Sequence, residues 1–96
     1  MTHRELAVLD AVNIASTRYR RKGNDYEATA AQIAKVLNHD ERIQRDVTIP
    51  RLTPVEVGAT LRALAKGHPT RRAPLVEKID TRRWRLTDTG VSVLSA

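Results

Sequence analysis

Six arginines between positions 62 and 85 are the residues best placed to do chemistry: Arg62, Arg71, Arg72, Arg82, Arg83 and Arg85. A guanidinium is a permanent cation whose planar fork matches phosphate oxygens and the edge of guanine. With Lys66 and Lys78 among them, residues 61–85 hold eight cations against Glu77 and Asp80, a net charge of +6. Residues 1–60 hold nine cations against eight acids, a net of +1, and residues 86–96 add only Asp88. The excess charge is therefore local, and a polyanion is the partner it suggests. A solvated basic surface with no partner is the plain alternative.

Catalytic groupings are poorly supported. His3, His39 and His68 lie far apart in unrelated contexts. His39, Asp40 and Glu41 have the types to hold a metal or pass a proton, but they read more simply as a charged loop. The four glycines stand singly or at element ends, so no phosphate-cradling loop is formed. The chain has no cysteine, which rules out disulfides and thiolate zinc sites and fits a reducing cytoplasm. With no Phe and two Tyr, a stacking platform for single strands has little to build on. We therefore expect no enzyme, no cofactor and no metal site.

The element that must position the first of these arginines is residues 53–67. Thr53 and Glu56 have capping-box spacing, and Pro54 suits a first helical position. Lys66 in the last turn favours the helix dipole, and Gly67 is a stop. Val57, Leu61 and Leu64 form one apolar stripe, leaving Glu56, Ala59, Arg62, Ala63 and Lys66 on the opposite face. Gly58 weakens such a helix by about 1 kcal/mol relative to Ala, which suggests close approach to a neighbouring helix or to another backbone.

The rest of the chain supplies a frame. Thr2 and Glu5 form a second capping-box pattern, opening a helix over about 3–21 whose stripe is Leu6, Leu9, Val12, Ser16 and Tyr19, flanked by Val8, Ala11 and Ala15. Arg18, Arg20, Arg21 and Lys22 at its end read as dipole compensation before Gly23, with contact to phosphate as the alternative, and residues 23–25 read as a turn. Residues 26–28 are extended at most. Thr29 and Gln32 give a third capping box and a short helix over about 30–38, with Ile33, Val36 and Leu37 inward and Asn38 at its end. Residues 39–52 mix charges with Ile43, Val47 and Ile49, consistent with one more helical turn and a loop docked on the core. After a proline-containing loop, residues 75–79 and 83–86 read as a hairpin, with Trp84 and Leu86 inward and Arg83 and Arg85 outward. Thr87 caps a terminal helix contacting the core through Val91 and Leu94.

Ninety-six residues suffice for one domain, 1–96, with one modest core. No apolar run approaches the roughly 20 residues that a membrane span needs. The order helix, short strand, helix, helix, strand, basic turn, strand resembles the winged helix-turn-helix family of DNA-binding proteins over nearly the whole chain. The resemblance is carried by the 29–38 helix with its Ile33-Ala34 pair, by the 53–66 helix, and by Arg-Trp-Arg-Leu-Thr-Asp-Thr-Gly at 83–90. The 39–52 and 67–75 connections are longer than the family's usual ones.

The resemblance implies an α+β winged helix that binds double-stranded DNA in a sequence-specific way, as a transcriptional regulator. The 53–67 helix would lie in the major groove, presenting Thr53, Val55, Glu56, Ala59, Thr60, Arg62 and Lys66. Arg62 would meet guanine, Glu56 cytosine, and Val55 or Ala59 a thymine methyl, with Glu56 also claimed by its capping duty. Arg82, Arg83 and Arg85 would lie on phosphates or in the minor groove, and Arg71 and Arg72 would add phosphate contacts. A homodimer is compatible with the sequence. A protein-interaction module is the rival reading, and an RNA-binding or replication and recombination accessory role is a lesser one.

Overall fold

Three reciprocal capping boxes start three of the helices. The computed structural model describes residues 2–18, 28–45, 49, 51–66, 73–79 and 82–95. Helix α1 (His3–Arg18) begins where the Thr2 N–H donates to Glu5 Oε1 (3.0 Å) and the Glu5 N–H donates to Thr2 Oγ1 (3.1 Å). Thr29 and Gln32 do the same between strand β1 (Ala28–Thr29) and helix α2 (Ala30–His39), at 3.0 and 3.2 Å. Each box satisfies two backbone N–H groups that a helix start leaves without intrahelical partners.

Among the described residues of 39–52 there is one helical turn after α2, α3 (Glu41–Gln44), begun by the Asp40 carbonyl, which accepts from the N–H groups of Ile43 (3.1 Å) and Gln44 (2.9 Å). Asn38 does not end α2 but stands inside it. Its side chain clamps Leu52: Nδ2 donates to the Leu52 carbonyl (2.7 Å), and the Leu52 N–H donates to Oδ1 (2.9 Å). Gln44 Nε2 donates to the Leu37 carbonyl. With Ile43 and Leu52 buried, and Ile49 packed against the core, the long connection is held at both ends. Val47 lies outside the described residues.

Helix α4 (Pro54–Lys66) follows, then strands β2 (Val76–Lys78) and β3 (Arg83–Leu86) and helix α5 (Asp88–Ser95). The strands form one antiparallel sheet in the order β1-β3-β2, with Ala28 opposite Trp84 and Val76 opposite Leu86. The expected hairpin is thus present, one residue shorter at each end of its first strand, and the short strand expected near 26–28 lies at Ala28–Thr29 as β1. Among the described residues the fold is α+β, with four helices of eight residues or more and the one-turn α3. Its Cα radius of gyration is 12.3 Å, close to the roughly 13 Å of a folded chain of about 100 residues. No helix among the described residues is long and apolar enough to cross a membrane.

The core gathers one face of α1, α2 and α4 over the sheet. On α1 the buried set is Ala7, Val8, Leu9, Ala11, Val12, Ala15 and Ser16. Leu6, expected on this stripe, is 45% exposed. Packing against α2, α4 and β3 centres the buried face on Val8 and Val12, which moves Leu6 to the rim. Ser16 Oγ is buried without a hydrogen-bond partner among the described residues. Tyr19, the charged run at 20–22 and the 23–27 turn and extended stretch lie outside the described residues.

Trp84 is 5% exposed and belongs to the core, with Lys78 Nζ 5.4 Å from its ring centroid. The Leu75 N–H donates to the Leu64 carbonyl (3.0 Å), which ties the start of β2 to the last turns of α4. The Thr87 N–H donates to the Leu75 carbonyl (3.1 Å), and Thr87 Oγ1 donates to the Pro74 carbonyl (2.6 Å). Thr87 also caps α5, accepting from the Gly90 N–H (3.1 Å). Gly90 therefore sits directly on the Leu75 carbonyl: a Cβ there would lie 2.1 Å from that oxygen. Because Gly90 faces inward, its neighbour Val91 faces out and is 50% exposed, contrary to its expected core role, while Val93 and Leu94 pack on the core.

The two described glycines make opposite predictions. A Cβ at Gly58 would meet only Arg62 Nη1, at 3.6 Å. Gly58→Ala should stabilise the protein by about 0.5–1 kcal/mol in denaturant unfolding. Gly90→Ala must displace backbone and should cost about 1–3 kcal/mol. Equal effects of the two substitutions would refute this account of the α5 anchor.

Candidate nucleic-acid interface

Helix α4 is set by its inner face. Val57, Leu61 and Leu64 are fully buried, each contributing about 1.5–3 kcal/mol. That burial fixes the rotation of the helix about its axis. Val55 (78% exposed), Glu56, Ala59, Arg62, Ala63 and Lys66 are accordingly presented outward, and Thr53 is exposed at the cap. The middle of this face, Ala59 and Ala63, carries nothing beyond Cβ, so another surface can come close to the helix.

Arg62 leans back towards the helix start. Its Nη1 lies near Gly58, one turn earlier, the direction in which long helical side chains normally run. Among the described residues Gly58 has no close backbone neighbour, so the suggestion of tight helix–helix approach there is corrected. The open position instead leaves room for the Arg62 head.

Thr60 is a second correction. It is 8% exposed, and its hydroxyl is used twice within the protein. It donates to the Glu56 carbonyl (3.1 Å) and accepts from Arg4 Nε (3.2 Å). It turns towards α1 rather than outward, and so cannot meet a base edge. Its partner Arg4 was not signalled by the sequence: 56 residues separate the two, and nothing local to position 4 announces the contact. Arg4 Nη2 also reaches the Glu56 carbonyl, at 3.4 Å.

Glu56 holds the start of α4. The Thr53 N–H donates to Glu56 Oε1 (3.1 Å), and the Glu56 N–H donates to Thr53 Oγ1 (3.2 Å). The Thr53 N–H donating to this carboxyl, then the Thr53 hydroxyl beside it, with the charge of Arg4 adding to them, hold it below its ordinary value of 4.5. One of the two oxygens that could accept from cytosine is thus already engaged in the cap.

The hairpin is less one-sided in charge than the sequence indicated. Glu77 stands opposite Arg85 across β2 and β3, and Arg85 Nε donates to Glu77 Oε1. An exposed pair of this kind is worth about 0–1 kcal/mol, but it neutralises one of the three arginines at 82–85. Arg83 is half-buried opposite Thr29, and Arg82 is exposed just before β3; neither lacks a partner in the fold. Arg71 and Arg72 lie outside the described residues. Arg51, ahead of the α4 cap, and Lys35 on α2 are exposed cations that the sequence did not single out. His39 closes α2, Asp40 starts α3 and Glu41 is its first residue, so these three are spread along a helix junction.

A pH dependence follows from Glu56. Its folded pKa is lowered, so its contribution is full above 4.5 and is lost as pH falls through the folded value. Glu56→Gln retains an acceptor for the Thr53 N–H but does not titrate. The stability difference between the wild type and this variant should shrink as pH is lowered from about 6 to about 3. A difference that stays constant over that range would contradict the charged cap.

Compared with protein-family models, curated proteins and solved structures, the chain matches none of them, so its function is argued from its own residues and geometry.

Proposed function

We propose that this chain is a winged helix protein that binds double-stranded DNA sequence-specifically and regulates transcription in the cytoplasm. Helix α4 enters the major groove, and the β2–β3 hairpin lies against the DNA backbone. The observation that carries the reading is the outer face of α4. A capped helix of 13 residues, about 20 Å long at roughly 1.5 Å per residue, presents a row of exposed side chains with alanines at its centre. Arg62 and Lys66 border that row. B-DNA's major groove, about 12 Å wide, admits a helix of this kind.

The element order and the β1-β3-β2 sheet support the same reading, because they place a hairpin directly after the helix that would read the groove. Phosphate contacts by arginine supply affinity and orientation, while base edges supply specificity. Arg62, leaning towards the start of α4, is the cation best placed to meet a base. Val55 and Ala59 would offer apolar contact to thymine methyls. Thr53 and Glu56 act chiefly by shaping the helix start. Arg82 and Arg83 supply the hairpin's contacts, with Arg85 shared with Glu77.

A docking module for another protein is the second reading. It draws on the Glu77–Arg85 pair, which lowers the hairpin's charge, and on the exposure of Val55.

Selection from a random duplex library separates the two. An enriched motif is expected, and its symmetry reports whether the chain binds as a homodimer; recovery of no sequence would favour the docking module. On the selected duplex, affinity should fall steeply between about 50 and 200 mM salt. A flat dependence removes the phosphate contacts. Arg62→Ala should cost about 1–3 kcal/mol at one base step, whereas an equal loss on every duplex reassigns Arg62 to phosphate.

A further inference from the structure

The outer face of α4 has two flanks, and its own sequence charges only one of them positively. At 3.6 residues per turn, Arg62 and Lys66 fall on one side of the Ala59–Ala63 line. Glu56 and Thr60 fall on the other. A helix in a major groove has a phosphate strand along each wall, so the Glu56 side would face phosphate with an acid. Arg4 changes that. Its guanidinium reaches from the first turn of α1 onto this flank, with Nε on Thr60 Oγ1 (3.2 Å) and Nη2 near the Glu56 carbonyl (3.4 Å).

We infer that Arg4 is a phosphate-binding residue of this interface, held on the flank of α4 opposite Arg62 and Lys66. The inference rests on the DNA-binding reading above and adds to it a residue from another helix. A guanidinium carries five N–H donors. The two internal bonds engage one edge of the fork and fix its plane, and the remaining donors, unclaimed among the described residues, are left for a phosphate oxygen. Thr60, which lies too deep for a base contact, acts as the positioning residue that orients the fork. Arg4 also offsets the charge of Glu56, so the phosphate wall on that flank would meet a guanidinium in place of an uncompensated acid.

Arg4→Ala, Arg4→Gln and Arg4→Lys, made in the full chain and checked for folding by thermal unfolding, test this. Each is titrated with salt on the same selected duplex and on an unrelated one. Arg4→Ala and Arg4→Gln should weaken binding by about three- to tenfold on both duplexes and reduce the salt slope by about one contact. Arg4→Lys should keep the wild-type slope. Gln retains a donor for Thr60 without the charge, so it separates phosphate binding from a tie between α1 and α4. If Arg4→Gln binds with the wild-type slope, Arg4 is such a tie and the inference is wrong, while the DNA reading stands. If the wild type itself binds neither duplex at low salt, the DNA reading fails and takes this inference with it.

Discussion

Burial of Val57, Leu61 and Leu64 is the interaction on which the rest of the structure depends. A helix free to roll about its axis would present no defined face. Three side chains without solvent exposure, spaced along one stripe, leave one rotation that keeps them out of water. Every statement about the outer side of α4 follows from that rotation: the exposure of Val55 and Arg62, the small residues between the flanks, and the inward turn of Thr60. The reciprocal bonds between Thr53 and Glu56 then fix where the helix begins.

The connections at both ends of α4 preserve its position by different means. Ahead of it, Asn38 returns both hydrogen bonds of the Leu52 backbone, a side-chain substitute for a strand partner. Behind it, the chain comes back so that the Leu75 N–H meets the Leu64 carbonyl, and the Leu75 carbonyl in turn meets Thr87. Buried backbone groups must find partners, and here those partners lie in neighbouring elements. The helix, the hairpin and α5 are thereby joined through a few atoms around Leu75, which is why no side chain fits at Gly90.

Charge follows a less simple pattern than the composition suggests. The net of +6 over residues 61–85, which already counts Glu77, is unevenly spread: Glu77 meets Arg85 on the hairpin, and Arg4 joins α4 from the start of the chain. Both effects come from pairing across space. The electrostatic surface beside α4 and the hairpin is therefore assembled from distant segments and is not a property of the basic stretch alone.

Much of the architecture was legible in the sequence because it is locally encoded. A Thr followed three residues later by Glu or Gln specifies a helix start through contacts within one turn, and all three such pairs, at Thr2, Thr29 and Thr53, form as read. The apolar stripe of α4 and the alternation at Arg83–Leu86 are likewise short-range patterns that burial enforces. What the sequence could not determine was set by packing between elements. Leu6 and Val91 have core-type side chains but fall on the rims of α1 and α5, because their helices' rotations are fixed by neighbours. Thr60 reads as an outward position of α4 until α1 brings Arg4 against it, 56 residues away in the chain. The pairing of Glu77 with Arg85 depends on strand register, which fixes which residues face each other across the hairpin. Tertiary structure decided these points because each depends on the distance between groups that the chain separates and only the packed fold brings together.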